Sequence, residues 1–334
     1  MKNIQISRGR VIFMKRNKVV YIIVALVIIG GATIMYSINQ HYKSNKIAIQ
    51  KTNSVQANKT KLVIDTDNKD VLPKNFRTTK DKINDEKSKD INLTGLSDLN
   101  ISGSGALSEK SLAMVKEKIG DKSIIDIDLR QEDHGFINGM GISWFGKSNQ
   151  ANKGINREQI ISDEKSNLDK ISKDKHVKFD ELPKGKSVNT VKLIDNPESV
   201  ETEEELAKGL GMSYLRITVT DHEKPLDDQV DLFIESIKNL PKDTWIHFHC
   251  RGGAGRTTTF MSMYDMMHNA KNVSFEDIMN RQKLIGGSDL LKETNKDEDK
   301  SRVEFLNMFY KYCKDNQDGY ETSWSQWIKN NGEQ

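Results

Sequence analysis

Leu112, Val115 and Ile119 recur at helical spacing, with Ser108 placed to cap the first turn and Gly120 to end the last. The apolar run Ile124 to Leu129 follows and predicts a strand. Leu215, Ile217 and Val219 alternate with polar residues, the period of a half-buried strand. Val230, Phe233, Ile234, Ile237 and Leu240 return to helical spacing. Pro241 stops that helix, because proline cannot donate to the preceding turn. Trp245 to His249 predicts a third strand. Phe260, Met263, Tyr264 and Met267 mark a helix directly after it. Phe305, Leu306, Phe309, Tyr312 and Cys313 mark another near the C-terminus. Strands that alternate with helices specify an α/β fold.

The pattern fails in two regions. Val19 to Ile38 is a run of 20 residues without a charge. As a helix it would be about 30 Å long, the thickness of a hydrocarbon core. Residues 1–18 are basic, and no acidic residue occurs before Asp65. This asymmetry predicts one transmembrane helix at 19–38, an internal N-terminus and a single-pass protein with its body outside the cell. The competing reading is a cleaved signal peptide and a secreted body. Residues 39–71 are polar and aperiodic and predict a flexible stalk, since they offer little apolar surface to offset ordering. Residues 72–334 are the expected folded body. Within it, 147–199 is charged, with short β-like pieces at Val177 to Phe179 and Val188 to Ile194. It predicts a small β-rich insertion.

Composition narrows the function. The chain has 334 residues, 36% hydrophobic and 30% charged, with a net charge of +3. That charge is too small to argue for nucleic-acid binding. Its two cysteines, Cys250 and Cys313, exclude a disulfide framework. Cys313 sits on an apolar helical stripe and reads as packing. Cys250 does not.

The segment His249-Cys250-Arg251-Gly252-Gly253-Ala254-Gly255-Arg256-Thr257 joins a predicted strand to a predicted helix. The glycines let the backbone curl and turn its N–H groups inward. A helix N-terminus favours an anion. Arg256 could grip two phosphate oxygens at once. The same field lowers a thiol pKa, so Cys250 could attack phosphorus as a thiolate. Thr257 could donate its hydroxyl to that sulfur. Asp221, 29 residues upstream and just past a predicted strand, is the candidate acid for the leaving oxygen. His247 and His249 share a strand face beside Cys250, but no fourth ligand stands at suitable spacing, so no metal is expected. His249 reads instead as an orienting residue beneath the loop.

The segment from His249 to Thr257 resembles the phosphate-binding loop of protein tyrosine phosphatases, and Asp221 their acid loop. The resemblance extends further. Asp126-Ile127-Asp128-Leu129-Arg130-Gln131-Glu132, His134-Gly135-Phe136, Asn138-Gly139, Ser143-Trp144-Phe145-Gly146 and Thr220-Asp221-His222 are similar to segments of bacterial tyrosine phosphatase-like phytases. So are Arg256 to Thr259 and Asp318 to Trp324. The likeness runs from about Leu72 to Trp327. It implies a tyrosine phosphatase-like fold with a partial β-barrel, which the insertion would supply. It implies metal-free, cofactor-free removal of phosphate from myo-inositol polyphosphates. It also places Arg77, Asp128 and His222 at the substrate site, with Arg77 on a remote phosphate and Lys292, Lys296, Lys300 or Arg302 adding positive field.

The expectation is therefore a cysteine-dependent phosphoric monoester hydrolase on a membrane anchor, with a broad basic bowl for its substrate. The loop from Arg251 to Gly255 would hold the phosphate. Arg251 either favours highly anionic substrates or points outward. A protein tyrosine or phosphoinositide phosphatase is the alternative enzyme. A tethered phosphate-binding module is the alternative without catalysis.

Overall fold

The computed structural model describes residues 60–183, 187–188, 190–316 and 319–331. The expected basic segment and the span at Val19 to Ile38 lie outside them. Among the described residues no helix is long and apolar enough to cross a membrane.

In chain order the strands are β1 (Lys61–Thr66), β2 (Arg77–Thr78), β3 (Ile101–Ser104), β4 (Ile124–Asp128), β5 (His134–Ile137), β6 (Met140–Phe145), β7 (His176–Lys178), β8 (Leu193–Asp195), β9 (Val200–Glu201), β10 (Ser213–Arg216) and β11 (Trp245–His249). The helices are α1 (Asp85–Ser88), α2 (Glu109–Ile119), α3 (Arg157–Lys173), α4 (Glu203–Gly209), α5 (Asp227–Ile237), α6 (Gly255–Asn269), α7 (Phe275–Leu284), α8 (Asp297–Asp315) and α9 (Trp324–Asn331).

The main sheet has the order β10-β4-β11-β3-β2. All neighbours in it are parallel except β2, which runs antiparallel to β3. The central strand β11 is buried throughout. One of its faces, Ile246 and Phe248, enters the main core. Phe233 of α5 reaches the rings of Phe248 and Phe260 there, at 6.0 and 5.1 Å. α6 is almost wholly buried, because β3 and β11 cover one side and α7 and α8 the other. Its methionines Met261, Met263 and Met266 fill that core. Parallel register brings Ser104, Asp128, Arg216 and His249 together at the carboxyl end of the sheet, where open α/β sheets bind ligands.

A second sheet has the order β1-β6-β5-β9. Its hairpin turns at Asn138 and Gly139, with φ of 50° and 74°. Two positive φ values match the twist of the flanking strands, and Asn-Gly suits them. This sheet corrects two expectations. The stalk does not run to residue 71: Lys61–Thr66 pairs with β6, burying Val63 and Ile64. Nor is 147–199 β-rich. Its largest element is α3, capped by Asn156, with Ile160 buried and with Leu168 and Ile171 packed against the second sheet. Among the described residues there, the β-structure is the short pair β7–β8 and a bridge from Val188 to Ile64. The small sheet is thus assembled mainly from segments on either side of the region assigned to it.

Candidate active site

The chain leaves β11 at Cys250, curls through residues 251–254 and enters α6 at Gly255. Three loop carbonyls are held from outside. Arg251 O accepts from Ala106 N at 3.1 Å, Gly252 O from Asn75 Nδ2 at 2.8 Å and Gly253 O from Arg77 Nη1 at 2.8 Å. In a planar trans peptide the N–H points opposite to the C=O. Fixing these carbonyls outward therefore turns the following N–H groups inward, as an anion requires. Gly253 has φ +69°, and a Cβ there would lie 2.4 Å from Gly105 N. The loop's contact with β3 therefore demands glycine at this position.

Cys250 is 3% exposed at the base of the loop. Thr257 Oγ1 lies 3.2 Å from its sulfur. Burial alone would raise the thiol pKa, and Asp221 adds to that. Arg256 and the Thr257 hydroxyl outweigh both and bring it below the ordinary thiol range.

Arg256 is also buried. Nη1 donates to Glu132 Oε2 at 2.8 Å, Val219 O at 3.1 Å and Leu129 O at 3.2 Å. Nη2 donates to Glu132 Oε1 at 3.1 Å and stands 3.2 Å from Asp221 Oδ1. The fork on Glu132 fixes the guanidinium plane. Burial disfavours its charge, but Asp221, Glu132 and Cys250 keep it protonated. Burial would likewise raise the Glu132 carboxyl, yet Arg256 and Arg130 hold it far below its usual range.

Asp221 enters the same cleft on the loop after β10. Asn149 Nδ2 donates to its Oδ2 at 2.8 Å and Gln150 Nε2 to its backbone O at 2.6 Å. His222 follows in the left-handed region, at φ 68°, with its side chain 66% exposed at the cleft mouth. Arg302 Nη2 donates to His222 O at 2.6 Å. The cleft encloses about 730 Å³. Gly252, Ala254 and Gly255 line its floor. Its rim carries Lys292 and Arg302, but also Asp289, Glu293 and Asp299. The bowl expected to be basic is mixed in charge.

Other expected site residues lie elsewhere. Arg77 is 2% exposed and sits behind the loop. Besides Gly253 O it donates to Asn75 O at 3.0 Å and Thr258 Oγ1 at 3.1 Å. Burial pulls its pKa down to about 10, against the opposing pull of Cys250. It shapes the loop from behind and does not line the cleft. Asp128 does not line it either. It ends the buried strand β4 and accepts from Arg130 N at 2.8 Å and Tyr214 Oη at 3.0 Å. His134 and Arg216 each stand 3.2 Å from its carboxylate. Lys300 is exposed and lines an adjoining hollow, which shares Lys292, Glu293 and Thr294 with the cleft.

Arg251 lines the cleft wall. Its Nε donates to Asp65 Oδ1 at 2.8 Å, and its guanidinium lies over the Phe145 ring at 4.8 Å. Both partners belong to the second sheet. His249 lies beneath the loop, with Nε2 2.5 Å from Glu203 Oε1. Burial opposes its charge, but Glu203 and Asp126 push the pKa up to about 9. His247 is different. Burial and the neighbouring His249 charge pull it to about 3, and its neutral ring bridges Ser102 Oγ and Ser104 Oγ at 2.9 and 3.0 Å.

Asp126, Glu203 and His249 bring ligand atoms within 4.8 Å of one another, as do Asp128, His134 and Glu203. Protons fit these clusters well. Burial and the neighbouring carboxylates of Glu203 and Asp128 raise Asp126 well above its usual range, against the pull of His249. His134 and His249 are protonated. The imidazolium charges of His134 and His249 then face the carboxylates of Asp128 and Glu203.

Asp65, Asn75, Glu132 and Asn149 support the site although no motif of the sequence gives them a role. Glu132 lay inside a quoted segment. Its partner Arg256 is 124 positions away, and that pairing leaves no periodic signal.

A family model for protein tyrosine phosphatase-like phytases, described as inositol hexakisphosphate, matches residues 127–268. A solved phytase of this kind from Bdellovibrio bacteriovorus is 34% identical. The match covers 81% of this chain and 95% of that one, with a TM-score of 0.64. The chain belongs to the protein tyrosine phosphatase-like phytase family. Another member, a myo-inositol phosphatase from Mitsuokella multacida, was solved with myo-inositol-(1,3,4,5)-tetrakisphosphate bound. It is 38% identical, with a TM-score of 0.77, over 82% of this chain and 48% of that one. Effector protein hopD2 of Pseudomonas syringae pv. tomato is 29% identical over 246 residues, 70% of this chain and 52% of that protein. This phytase-family chain thus spans about half the length of those two relatives.

Proposed function

We propose that this chain hydrolyses phosphate monoesters of myo-inositol polyphosphates through a phosphocysteine intermediate. The observation that carries the reading is the meeting of Cys250, Arg256 and Asp221 in one cleft, with Arg256 Nη2 3.2 Å from Asp221 Oδ1. Likeness to a relative solved with an inositol tetrakisphosphate supports the substrate class.

The Cys250 thiolate attacks phosphorus, forming the S–P bond as the P–O bond to the inositol breaks. Loop N–H groups and Arg256 hold the equatorial oxygens, where charge gathers. Asp221 in its acid form gives its proton to the departing oxygen. The resulting carboxylate then takes a proton from water. That water attacks phosphorus, the S–P bond breaks, and Cys250 returns as a thiolate, aided by the Thr257 hydroxyl. Arg251, His222, Lys292 and Arg302 face the phosphates that do not react.

The test is turnover of inositol hexakisphosphate and of a phosphotyrosine peptide at matched concentration. Faster turnover of the peptide would favour the tyrosine phosphatase alternative. Cys250→Ser should abolish turnover and spare ligand binding. No turnover of any phosphoester by the parent protein would leave only a phosphate-binding module.

We also propose that the chain is a single-pass membrane protein with its body outside the cell. The support is the uncharged run Val19 to Ile38 and the basic residues before it. Resistance to carbonate extraction and digestion of the body by protease added to intact cells are the expected results. Release into the medium would mean cleavage instead.

A further inference from the structure

The turn after β6 places two successive residues in the left-handed region, Ser148 at φ 54° and Asn149 at φ 59°. Neither is glycine, so the conformation is destabilising unless local contacts offset it. Strain of this kind gathers where a side chain must be aimed. Here it turns Asn149 inward, to 2% exposure.

Asn149 makes one directed contact there. Its Nδ2 donates to Asp221 Oδ2 at 2.8 Å, while its buried Oδ1 has no hydrogen-bond partner among the described residues. A carboxylate only accepts, so the amide must present nitrogen to it. An asparagine kept for stability alone would have both ends satisfied, since an orphaned buried acceptor is unfavourable. Beside it, Gln150 Nε2 donates to Asp221 O at 2.6 Å. One turn thus holds both the carboxyl group and the backbone of the acid.

The direction of the hold matters. Both carboxyl oxygens of Asp221 meet N–H groups: Oδ2 accepts from Asn149 Nδ2, and Oδ1 accepts from His222 N at 3.0 Å. Held at Oδ2 by Asn149, the carboxyl plane is fixed with Oδ1 3.2 Å from Arg256 Nη2. Arg256 is the phosphate grip, so the hold keeps the acid beside the reacting phosphate.

We infer that Asn149 is a positioning residue for the general acid, fixing the orientation of the Asp221 carboxyl group beside Arg256, and that Gln150 pins the loop beneath it. The inference rests on the phosphatase activity proposed above. It names a side chain acting through Asp221 rather than on substrate.

Leaving-group dependence tests it. An inositol alkoxide departs poorly without a proton, whereas p-nitrophenolate needs little help. Asn149→Ala in the full chain should lower kcat on inositol hexakisphosphate by about ten- to a hundredfold. It should change kcat on p-nitrophenyl phosphate, and KM on either, much less. Added to Asp221→Asn, it should cost nothing more. An equal loss on both substrates, or losses that multiply with Asp221→Asn, overturns the inference alone. If the parent protein turns over neither substrate, the proposed function falls and takes the inference with it. Should N149A fail to fold, Q150A removes only the bond to Asp221 O and should show the same split. Its absence would count against the inference.

Discussion

Asp65 and Arg251 stand 186 positions apart in the chain and 2.8 Å apart in the fold. Asp65 also takes Arg130 Nη2 at 2.7 Å, and Arg130 Nε reaches Glu132 at 3.0 Å. Glu132 forks onto Arg256, which faces Asp221. Charges of alternating sign therefore run from the first strand of the second sheet to the general acid. Burial would raise the Asp65 carboxyl, but Arg130 and Arg251 hold it below its usual range.

Asp65→Asn removes the charge that both arginines face. Breaking a buried pair on one side costs about 3 kcal/mol, measured here as lost stability in urea. Arg251 also loses its anchor on the cleft wall, so KM for inositol hexakisphosphate should rise several-fold. Unchanged stability and KM together would show that the pair is dispensable.

Glu132→Gln keeps the shape and removes the charge behind Arg256. The fork is lost, and the guanidinium is free to tilt toward Asp221. Misplacement on the scale of 1 Å costs about 100-fold in rate. The loss should fall on kcat for alkyl and aryl phosphates alike, because the equatorial oxygens are held in both. A loss confined to inositol phosphates would contradict this role.

Thiol reactivity should follow the field at Cys250. Its folded pKa is lowered, so alkylation by iodoacetamide should reach half its maximum rate below the usual thiol value of about 8.5. Arg256→Gln should move that midpoint upward. A midpoint that ignores the substitution would mean that other groups set the thiolate.

The buried histidines set a pH window for stability. Burial opposes their charge, but Asp128 raises His134 to about 10, and Glu203 raises His249 to about 9, from 6.5. Groups raised on folding stabilise fully below their unfolded pKa, and that contribution is lost as pH climbs through the folded value. Glu203 works in the opposite sense. Burial would raise it, but His249 and His134 hold it at about 2 against a usual 4.5. Its contribution is present above 4.5 and is lost as pH falls toward 2. The urea midpoint should be highest at about pH 5 to 6 and decline toward about pH 9. A flat profile up to that point would contradict the assignment.

Local signals carried most of the main sheet. Ser108 and Gly120 bound α2 as their chemistry dictates, and Trp245–His249 is the strand its apolar run suggests. Ile217 and Val219 lie beyond β10: Val219 N donates back to Ile217 O at 2.8 Å, and Val219 O accepts from Arg256. α3 was hidden by charge. Ionised side chains cover its exposed face and mask the period of Ile160, Leu168 and Ile171. β1 was hidden by the polar run before it, although Asn138-Gly139 was a turn signal for the hairpin it joins. In the site, the loop was legible because a thiol, an arginine and glycines must lie close in sequence to share one phosphate. Glu132, Asp65 and Asn149 act across long separations, which spacing cannot encode. Arg77 and Asp128 were placed at the substrate by resemblance. Their burial shows how near a reactive centre a residue can stand without facing it.

The outside grip on Arg251, Gly252 and Gly253 bears on attempts to transplant this chemistry. A graft of residues 249–257 into another strand–helix junction would carry the thiol, the glycines and the guanidinium. It would leave behind Ala106 N, Asn75 and Arg77, the donors that fix the three carbonyls. The curl would then have to hold its shape unaided. The loop's shape alone thus takes three separate chain segments, before Glu132 and Asp221 are added, and a recipient scaffold must supply all of them.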